Sequence, residues 1–236
     1  MSPSSKMPAM SFATARNVLI IGASRGLGLE FVRQYRSDGA RVTATARDDA
    51  GLAAIAALGA KPLKLDVADA ASASGLAWQI DGEAFDTVLH VAGVYGPRTS
   101  GMEPPSVDDF DAVMRANVLG PMRVLPSVAE ALAPGARIGV LSSRMGSIGA
   151  RNSTVGWTYR ASKAALNSVL KDASIALAGR ALCVAFHPGW VRTEMGGAGA
   201  DIDAAESVAG MRRVLAGLDA ARSGSFLNYD GTTIPW

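Results

Sequence analysis

Two side chains that could move a proton stand four positions apart, in the segment Tyr159-Arg-Ala-Ser-Lys163. In a helix, positions i and i+4 share one face, so the phenol and the ammonium would be neighbours. A phenol has a pKa of about 10 and is a poor base at neutral pH, but a nearby positive charge favours the phenolate. The pair indicates acid–base chemistry, although such a pair standing alone is more often two exposed residues of a helix turn.

Two further polar side chains precede this pair. Ser143 follows the strand-like segment 137–141, and its hydroxyl could polarise a substrate carbonyl. Since alternation along a strand turns only one of Ser142 and Ser143 toward a site, we assign the role to Ser143. Asn117 lies in the middle of a predicted helix although asparagine is a mediocre helix former, which indicates a local role, such as holding a water that links Lys163 to solvent.

A glycine-rich turn, Gly22-Ala-Ser-Arg-Gly26-Leu-Gly28, lies between the first predicted strand and the first predicted helix. Glycines permit a close backbone approach, and the N–H groups of a helix N-terminus attract a pyrophosphate. In this strand–turn–helix context the pattern indicates a dinucleotide site, whereas a glycine-rich turn without a ligand is the alternative.

The end of the second predicted strand favours NADP(H) as the cofactor. Enzymes that use NAD place an acid there for the ribose 2′-hydroxyl, while an arginine accommodates a 2′-phosphate. This strand ends in Ala46-Arg47, and Arg25 in the glycine turn could bind the same phosphate. Two solvated surface arginines are the alternative, and a shifted register could bring Asp48 or Asp49 to the ribose.

The third predicted strand is followed by Asp66 and Val67. Asp66 could accept a hydrogen bond from the adenine amino group beside Val67. It could equally cap the next helix, and the residues alone do not separate these two roles.

Composition excludes several classes of protein. The chain has 236 residues, 49% of them apolar and 19% charged, with a net charge of +2 and no basic run, which disfavours a nucleic-acid partner. One cysteine and two histidines leave no His/Cys metal cluster. No apolar stretch has membrane-spanning length. We expect a cytoplasmic protein with a disordered tail over residues 1–12 and a single domain over 13–236.

Strand and helix patterns alternate along the chain, which predicts a parallel sheet covered by helices on both faces. In such sheets ligands bind beyond the carboxyl ends of the strands. The predicted strands are 17–21, 41–46, 62–65, 85–91, 137–141, 181–187 and 225–227. The predicted helices are 27–37, 49–58, 70–80, 106–133 with a break near Gly120-Pro121, 159–178 and 204–218.

The ordered set of motifs resembles the short-chain dehydrogenase/reductase family from Asn17 to the C-terminus. It comprises Gly22, Gly26, Gly28, Asp66, Ala92-Gly93, Asn117, Ser143, Tyr159, Lys163 and Pro188-Gly189. The resemblance implies a single Rossmann-type, doubly wound, parallel seven-stranded sheet with helices on both faces. It also implies that Tyr159 is the acid/base, Ser143 the substrate polariser, Lys163 the ribose anchor that lowers the Tyr159 pKa, and Asn117 the holder of a proton relay.

Within the family the chain most resembles the C-factor/Sniffer-like carbonyl reductases, through the segments 141–148, 159–167, 187–193 and 226–231. That subgroup implies NADPH and a homodimer or homotetramer. The expected cofactor-binding residues are Gly22, Ser24, Arg25, Gly26, Leu27, Gly28, Arg47, Asp66, Val67, Ala92, Gly93, Tyr159, Lys163, Pro188, Gly189, Val191 and Thr193.

The chain departs from the family pattern at three places. His90-Val91 replace the two asparagines of the family's Asn-Asn-Ala-Gly motif, so other groups must make their hydrogen bonds. Sixteen positions separate Ser143 from Tyr159, a few more than is commonest. The segment after Thr193 is short and rich in glycine, so we expect a mobile lid over an open pocket.

These residues predict reversible hydride transfer between NADP(H) and a carbonyl or secondary alcohol, with a small molecule as substrate. The alternative is a cofactor-binding sensor or signalling protein with the same fold and little turnover. Apolar and aromatic residues are candidates for the substrate wall beside Ser143, although they are equally plausible in the core: Tyr95, Met145, Trp157, Trp190 and Met195.

Overall fold

The computed structural model describes residues 17–236, and the segment 1–12 expected as a tail lies outside the described residues. Within that range seven strands form one parallel sheet in the order β3-β2-β1-β4-β5-β6-β7. The strands are β1 (Asn17–Ile21), β2 (Arg41–Ala46), β3 (Lys61–Lys64), β4 (Phe85–His90), β5 (Leu132–Leu141), β6 (Ala181–His187) and β7 (Ser225–Asn228). The predicted seven-stranded parallel sheet is confirmed.

Helices connect the strands. They are α1 (Gly26–Ser37), α2 (Asp49–Ala57), α3 (Ala70–Ser74), α4 (Leu76–Gln79), α5 (Val107–Met114), α6 (Gly120–Glu130), α7 (Trp157–Ala176) and α8 (Ala204–Ala216). A π-helical turn, Arg115–Leu119, joins α5 to α6, and a 3₁₀ turn, Arg144–Gly146, follows β5. No helix within residues 17–236 is long and apolar enough to cross a bilayer.

Each face of the sheet buries its own apolar cluster. All five residues of β1 are buried, as expected for a strand covered on both sides. Leu19 and Ile21 pack with α4, α6 and α7, whereas Val18 and Ile20 pack with α1, α2 and α8. The alternation of side chains along a strand thus sends neighbours into different cores, and the doubly wound architecture is confirmed.

Two predicted helices were wrong in detail. The segment 70–80 divides at Gly75 into α3 and α4. The segment 106–133 is interrupted by the π-helical turn Arg115–Leu119, which ends directly before the break expected near Gly120-Pro121. The end of that prediction was also wrong, because Leu132 pairs with Phe85 as part of β5.

The carboxyl ends of β1 and β4 approach each other closely. Gly22 follows β1 with φ +86°, and a Cβ atom built on it would lie 2.6 Å from the backbone of Ala92. A Cβ on Gly28 would lie 2.1 Å from the carbonyl oxygen of Gly22, so α1 can begin directly against the strand only because both positions are glycine. The strand order reverses at this point, which is where doubly wound sheets bind ligands.

Candidate active site

One cleft of about 560 Å³ runs along the carboxyl ends of the strands. Most of the expected cofactor-binding residues line it: Gly22, Ser24, Arg25, Gly26, Leu27, Gly28, Arg47, Asp66, Val67, Ala92, Gly93, Tyr159, Lys163, Pro188 and Thr193. Gly189 and Val191 do not; Val191 is buried and bridges Ile202. Within the described residues, no group of three or more His, Cys, Asp or Glu side chains could hold a metal ion.

Tyr159 and Lys163 lie in the first two turns of α7, and both are buried. The Lys163 Nζ atom donates to the carbonyl oxygen of Leu141, at 2.9 Å, and lies 5.7 Å from the centroid of the Tyr159 ring. The predicted shared helix face therefore brings the ammonium beside the phenol. Burial lowers the Lys163 pKa to about 8, which leaves the side chain mainly charged at neutral pH.

Burial dominates the ionisation of Tyr159. It raises the pKa of the phenol to about 12, while a hydrogen bond with the Ser143 side chain acts in the opposite direction. The expected lowering of this pKa by Lys163 is not found in this structure: the loss of water around the phenolate raises the pKa by more than the Ser143 hydrogen bond lowers it, and the nearby Tyr95 raises it further. The phenol is protonated at neutral pH and is suited to donate a proton.

Ser143 joins the end of β5 to this pair. It precedes the Arg144–Gly146 turn, and its hydroxyl accepts a hydrogen bond from the backbone N–H of Met145, at 3.2 Å. Ser142, which the sequence argument set aside, lines the cleft and lies with its hydroxyl 3.4 Å from the Lys163 carbonyl. The hydroxyl that meets Tyr159 nevertheless belongs to Ser143.

Asn117 occupies the π-helical turn and is completely buried. Its amide oxygen accepts from the backbone N–H of Val94 and its amide nitrogen donates to the Val94 carbonyl, both at 2.8 Å. The same nitrogen donates to the Ser162 hydroxyl, at 2.9 Å. The side chain thus fastens the segment after β4 to α7, and a widened turn at a functional position is a common use of π geometry.

Gly93 separates Asn117 from Lys163. A Cβ atom at this position would lie 3.1 Å from the Asn117 amide oxygen and 3.2 Å from the Lys163 Nζ. Both polar atoms therefore lie close to the same glycine beside the cleft. The proton relay expected through Asn117 stays a prediction.

The acids that could replace Arg47 at a ribose are engaged elsewhere. The Asp48 carboxylate caps α2 by accepting from the Gly51 N–H, at 2.8 Å. The Asp49 side chain is 93% exposed and lies 3.6 Å from the Lys64 ammonium. Arg47 remains exposed on the cleft wall beside buried Ala46, so this end of the cleft suits a 2′-phosphate.

Arg25 has an ion-pair partner that the sequence analysis did not predict. Its guanidinium forms an ion pair with the Glu194 carboxylate, at 2.9 Å, and both side chains are mostly exposed. Exposed pairs of this kind contribute little energy, so a phosphate could displace the glutamate. Sequence reasoning missed Glu194; its only signal was an acid directly after Thr193 in the expected lid.

The alternative role of Asp66 as a helix cap was wrong. Asp69 caps α3, because its carboxylate accepts from the Ser72 N–H at 2.7 Å. Asp66 instead accepts from the backbone N–H of Ala68, at 2.9 Å, and lines the cleft next to Val67. Its position is compatible with an adenine contact.

Some of the residues expected to form the substrate wall lie next to Tyr159 or in the cleft, and others do not. Tyr95 stacks on Tyr159 with ring centroids 4.5 Å apart, and Met195 lines the cleft. Met145 lies in the turn after Ser143. Trp157 is half-buried at the start of α7, whereas Trp190 is more than half exposed and donates its indole N–H to the Gly196 carbonyl, at 2.9 Å. Trp190 therefore belongs to the loop beyond β6 and does not line this cleft.

His90 replaces a family asparagine without replacing its hydrogen bonds. The ring is 1% exposed, and neither of its nitrogens has a hydrogen-bond partner within the described residues. Burial, with a smaller effect of the Lys163 charge, lowers the pKa of His90 to about 3. The ring is therefore neutral at physiological pH.

Comparison with known proteins gives consistent results. The family model described as enoyl-(acyl carrier protein) reductase matches residues 22–233. C-signal of Myxococcus xanthus is 39% identical over 154 residues, which cover 64% of this chain and 92% of that protein.

Two solved structures share the fold over 94% of this chain and 99% of their own. They are the carbonyl reductase Sniffer of D. melanogaster, with a TM-score of 0.83 and 28% identity, and the NADPH-bound carbonyl reductase from chicken fatty liver, with a TM-score of 0.81 and 30% identity. The resemblance stated from the motifs, including the subgroup, is confirmed.

Replacing His90 by asparagine should flatten the pH dependence of stability. Unfolded His90 takes up a proton near pH 6.5 and the folded residue only near pH 3, so acidification in this interval favours the unfolded state. We expect the wild type to lose about 1.6 kcal/mol through this residue between pH 6.5 and 5. Urea unfolding at several pH values measures the slope. The pKa of His187 is also lowered, and this residue contributes equally to the pH dependence of both proteins. If the free energy of unfolding falls equally steeply with decreasing pH in the wild type and the variant, the prediction is contradicted.

Proposed function

Because the chain belongs to the short-chain dehydrogenase/reductase family, we propose that it reduces carbonyl compounds with NADPH and that Tyr159 donates the proton. The observation that carries this proposal is a buried, protonated phenol beside a buried ammonium in a cleft that the glycine turn also lines. The cofactor, when bound, supplies the hydride.

The residues present suit NADP(H). Close-packed Gly22 and Gly28 let a pyrophosphate approach the N-terminus of α1, whose Arg25 N-cap makes no side-chain hydrogen bond to the helix. Arg47 can bind a 2′-phosphate, and no acid within the described residues competes with it at the end of β2. NADP in a solved structure of a similar carbonyl reductase supports the same assignment.

The chain's own groups divide the acid–base work. Tyr159 donates its hydroxyl proton to the substrate carbonyl oxygen as that oxygen gains negative charge. The Ser143 hydroxyl, already hydrogen-bonded to Tyr159, can donate to the same oxygen. The Lys163 ammonium stabilises the phenolate that remains, and its low exposure strengthens the interaction.

The substrate side of the cleft is aromatic and apolar near Tyr159. The Tyr95 ring stacks on the Tyr159 ring, and Met195, from the loop after β6, lines the cleft. These surfaces favour an apolar or aromatic aldehyde or ketone.

The similarity to C-signal favours a second candidate, a cofactor-binding signalling protein with little turnover. The two functions differ in their need for the phenol. A sensor requires only that the cofactor binds, whereas a reductase requires the Tyr159 proton.

NADPH should bind more tightly than NADH, and Arg47 should account for the difference. Charge-assisted hydrogen bonds contribute about 1.5–3 kcal/mol, so Arg47→Ala should weaken NADPH binding by about 10- to 100-fold and leave NADH unchanged. Fluorescence titration measures both. Arg213→Ala, an exposed arginine on α8, is the matched control. An equal loss for both nucleotides would rule out a 2′-phosphate contact.

Tyr159→Phe should remove turnover while NADPH binding stays within about twofold. Loss of a general acid typically costs about 10²- to 10⁴-fold in rate, while the retained ring still stacks on Tyr95. NADPH oxidation with aromatic aldehydes and ketones gives the rate. A fully active variant would refute the assigned role, and a wild type that binds NADPH without turning over any of these substrates would favour the sensor.

A further inference from the structure

The turn that carries Ser143 is pressed against α7. Gly146 ends this turn, and a Cβ atom on it would lie 2.7 Å from the Lys163 carbonyl carbon and 2.8 Å from the Lys163 Cβ. The Gly146 N–H donates to the Ser143 carbonyl, at 2.8 Å, which ties the two ends of the turn together. The position of Ser143 relative to Tyr159 therefore depends on how firmly this turn is held.

The outer side of the turn is held by the end of the described chain. The main-chain oxygen of Trp236 accepts from the N–H groups of Ile148 and Gly149, at 2.9 and 2.8 Å. The completely buried Ser147 hydroxyl donates to the Pro235 carbonyl, at 2.5 Å, and accepts from the Ala150 N–H, at 3.0 Å. Three consecutive residues after the turn, Ser147 to Gly149, thus bond directly to two residues that are remote in sequence.

Residues 234–236 are themselves fixed to the sheet. The Trp236 ring stacks on buried Phe226 of β7, with centroids 5.6 Å apart and planes inclined by 20°. Ile234 is buried in the core cluster that includes α7, and its N–H donates to the Phe226 carbonyl, at 2.9 Å. The contacts that hold the turn are therefore anchored on the sheet and not on a surface loop.

We propose that Trp236 and Ser147 are positioning residues of the active site, which hold the Ser143 turn against the Tyr159 and Lys163 helix. Neither residue lines the cofactor cleft. The catalytic part of this inference rests on the proposed function. Catalytic geometry tolerates little displacement, since a misplacement of about 1 Å can cost about 100-fold in rate.

Three variants test the proposal. Trp236→Ala removes the stacking on Phe226, Ser147→Ala removes the bond to Pro235, and Trp236→Phe keeps an aromatic ring on Phe226. Trp78→Ala is the matched control, because Trp78 is 84% exposed on α4. The readouts are kcat and KM with an aromatic aldehyde, the Kd for NADPH, and hydrogen exchange at the amides of residues 143–150.

We expect Trp236→Ala and Ser147→Ala to lower kcat by at least about tenfold with NADPH affinity unchanged, and Trp236→Phe to restore most of it. Exchange should quicken at Ile148 and Gly149 and also at Met145 and Gly146, whose N–H groups bond within the Ser143 turn. Trp78→Ala should change none of these quantities.

Exchange that quickens only at Ile148 and Gly149, or a kcat that stays at the wild-type value, would overturn the proposal and leave Trp236 a purely stabilising residue. Hydrogen exchange decides the placement of the turn even if the wild type turns over no carbonyl compound. A wild type without carbonyl turnover would refute the proposed function, whereas unchanged hydrogen exchange in the Ser143 turn would refute the positioning role, so the two failures can be told apart. Should Trp236→Ala not fold, the Ser147→Ala and Trp236→Phe proteins decide the question.

Discussion

A buried ammonium is the constraint on which the rest of this site depends. Lys163 lies under the carboxyl ends of the strands, and its charge is costly there unless acceptors are placed around it. The Leu141 carbonyl, at the end of β5, supplies an acceptor at 2.9 Å. Gly93 leaves room beside the same nitrogen, since a Cβ atom there would lie 3.2 Å from it. The end of β5 and the glycine after β4 can each be understood as meeting this requirement.

The same burial decides the protonation of the Tyr159 and Lys163 pair. It raises the Tyr159 pKa and lowers that of Lys163, so the phenol keeps its proton near neutrality while the lysine remains mainly charged. A protonated phenol can donate a proton, and a neighbouring ammonium can stabilise the anion that is left. The environment of the pair is therefore compatible with the proton-donating role proposed for Tyr159.

The shape of the cleft at the glycine turn depends more on the close approach of main-chain segments than on charge. Gly22 meets Ala92 where the strand order reverses, and Gly28 meets Gly22, so a dinucleotide can lie against main-chain atoms. Two arginines bring charge to the rim: Arg47, which forms no ion pair within residues 17–236, and Arg25, which is paired with Glu194. The cofactor end of the cleft thus has closely packed main-chain atoms at its base and, at its rim, an exposed Arg25–Glu194 ion pair that a ligand can displace.

The sequence by itself determined the strands, the glycine turn and the Tyr159–Lys163 pair, because period-2 and i,i+4 spacing and glycine conformation are local properties of the chain. Only the tertiary structure decided that Asp69 and not Asp66 caps α3, that the buried His90 ring has no hydrogen-bond partner among residues 17–236, and that Glu194 pairs with Arg25. It also decided that Trp236 reaches the Ser143 turn. Each of these outcomes depends on which remote groups share a space or on how much water is excluded, and neither quantity is encoded in the spacing of neighbouring residues.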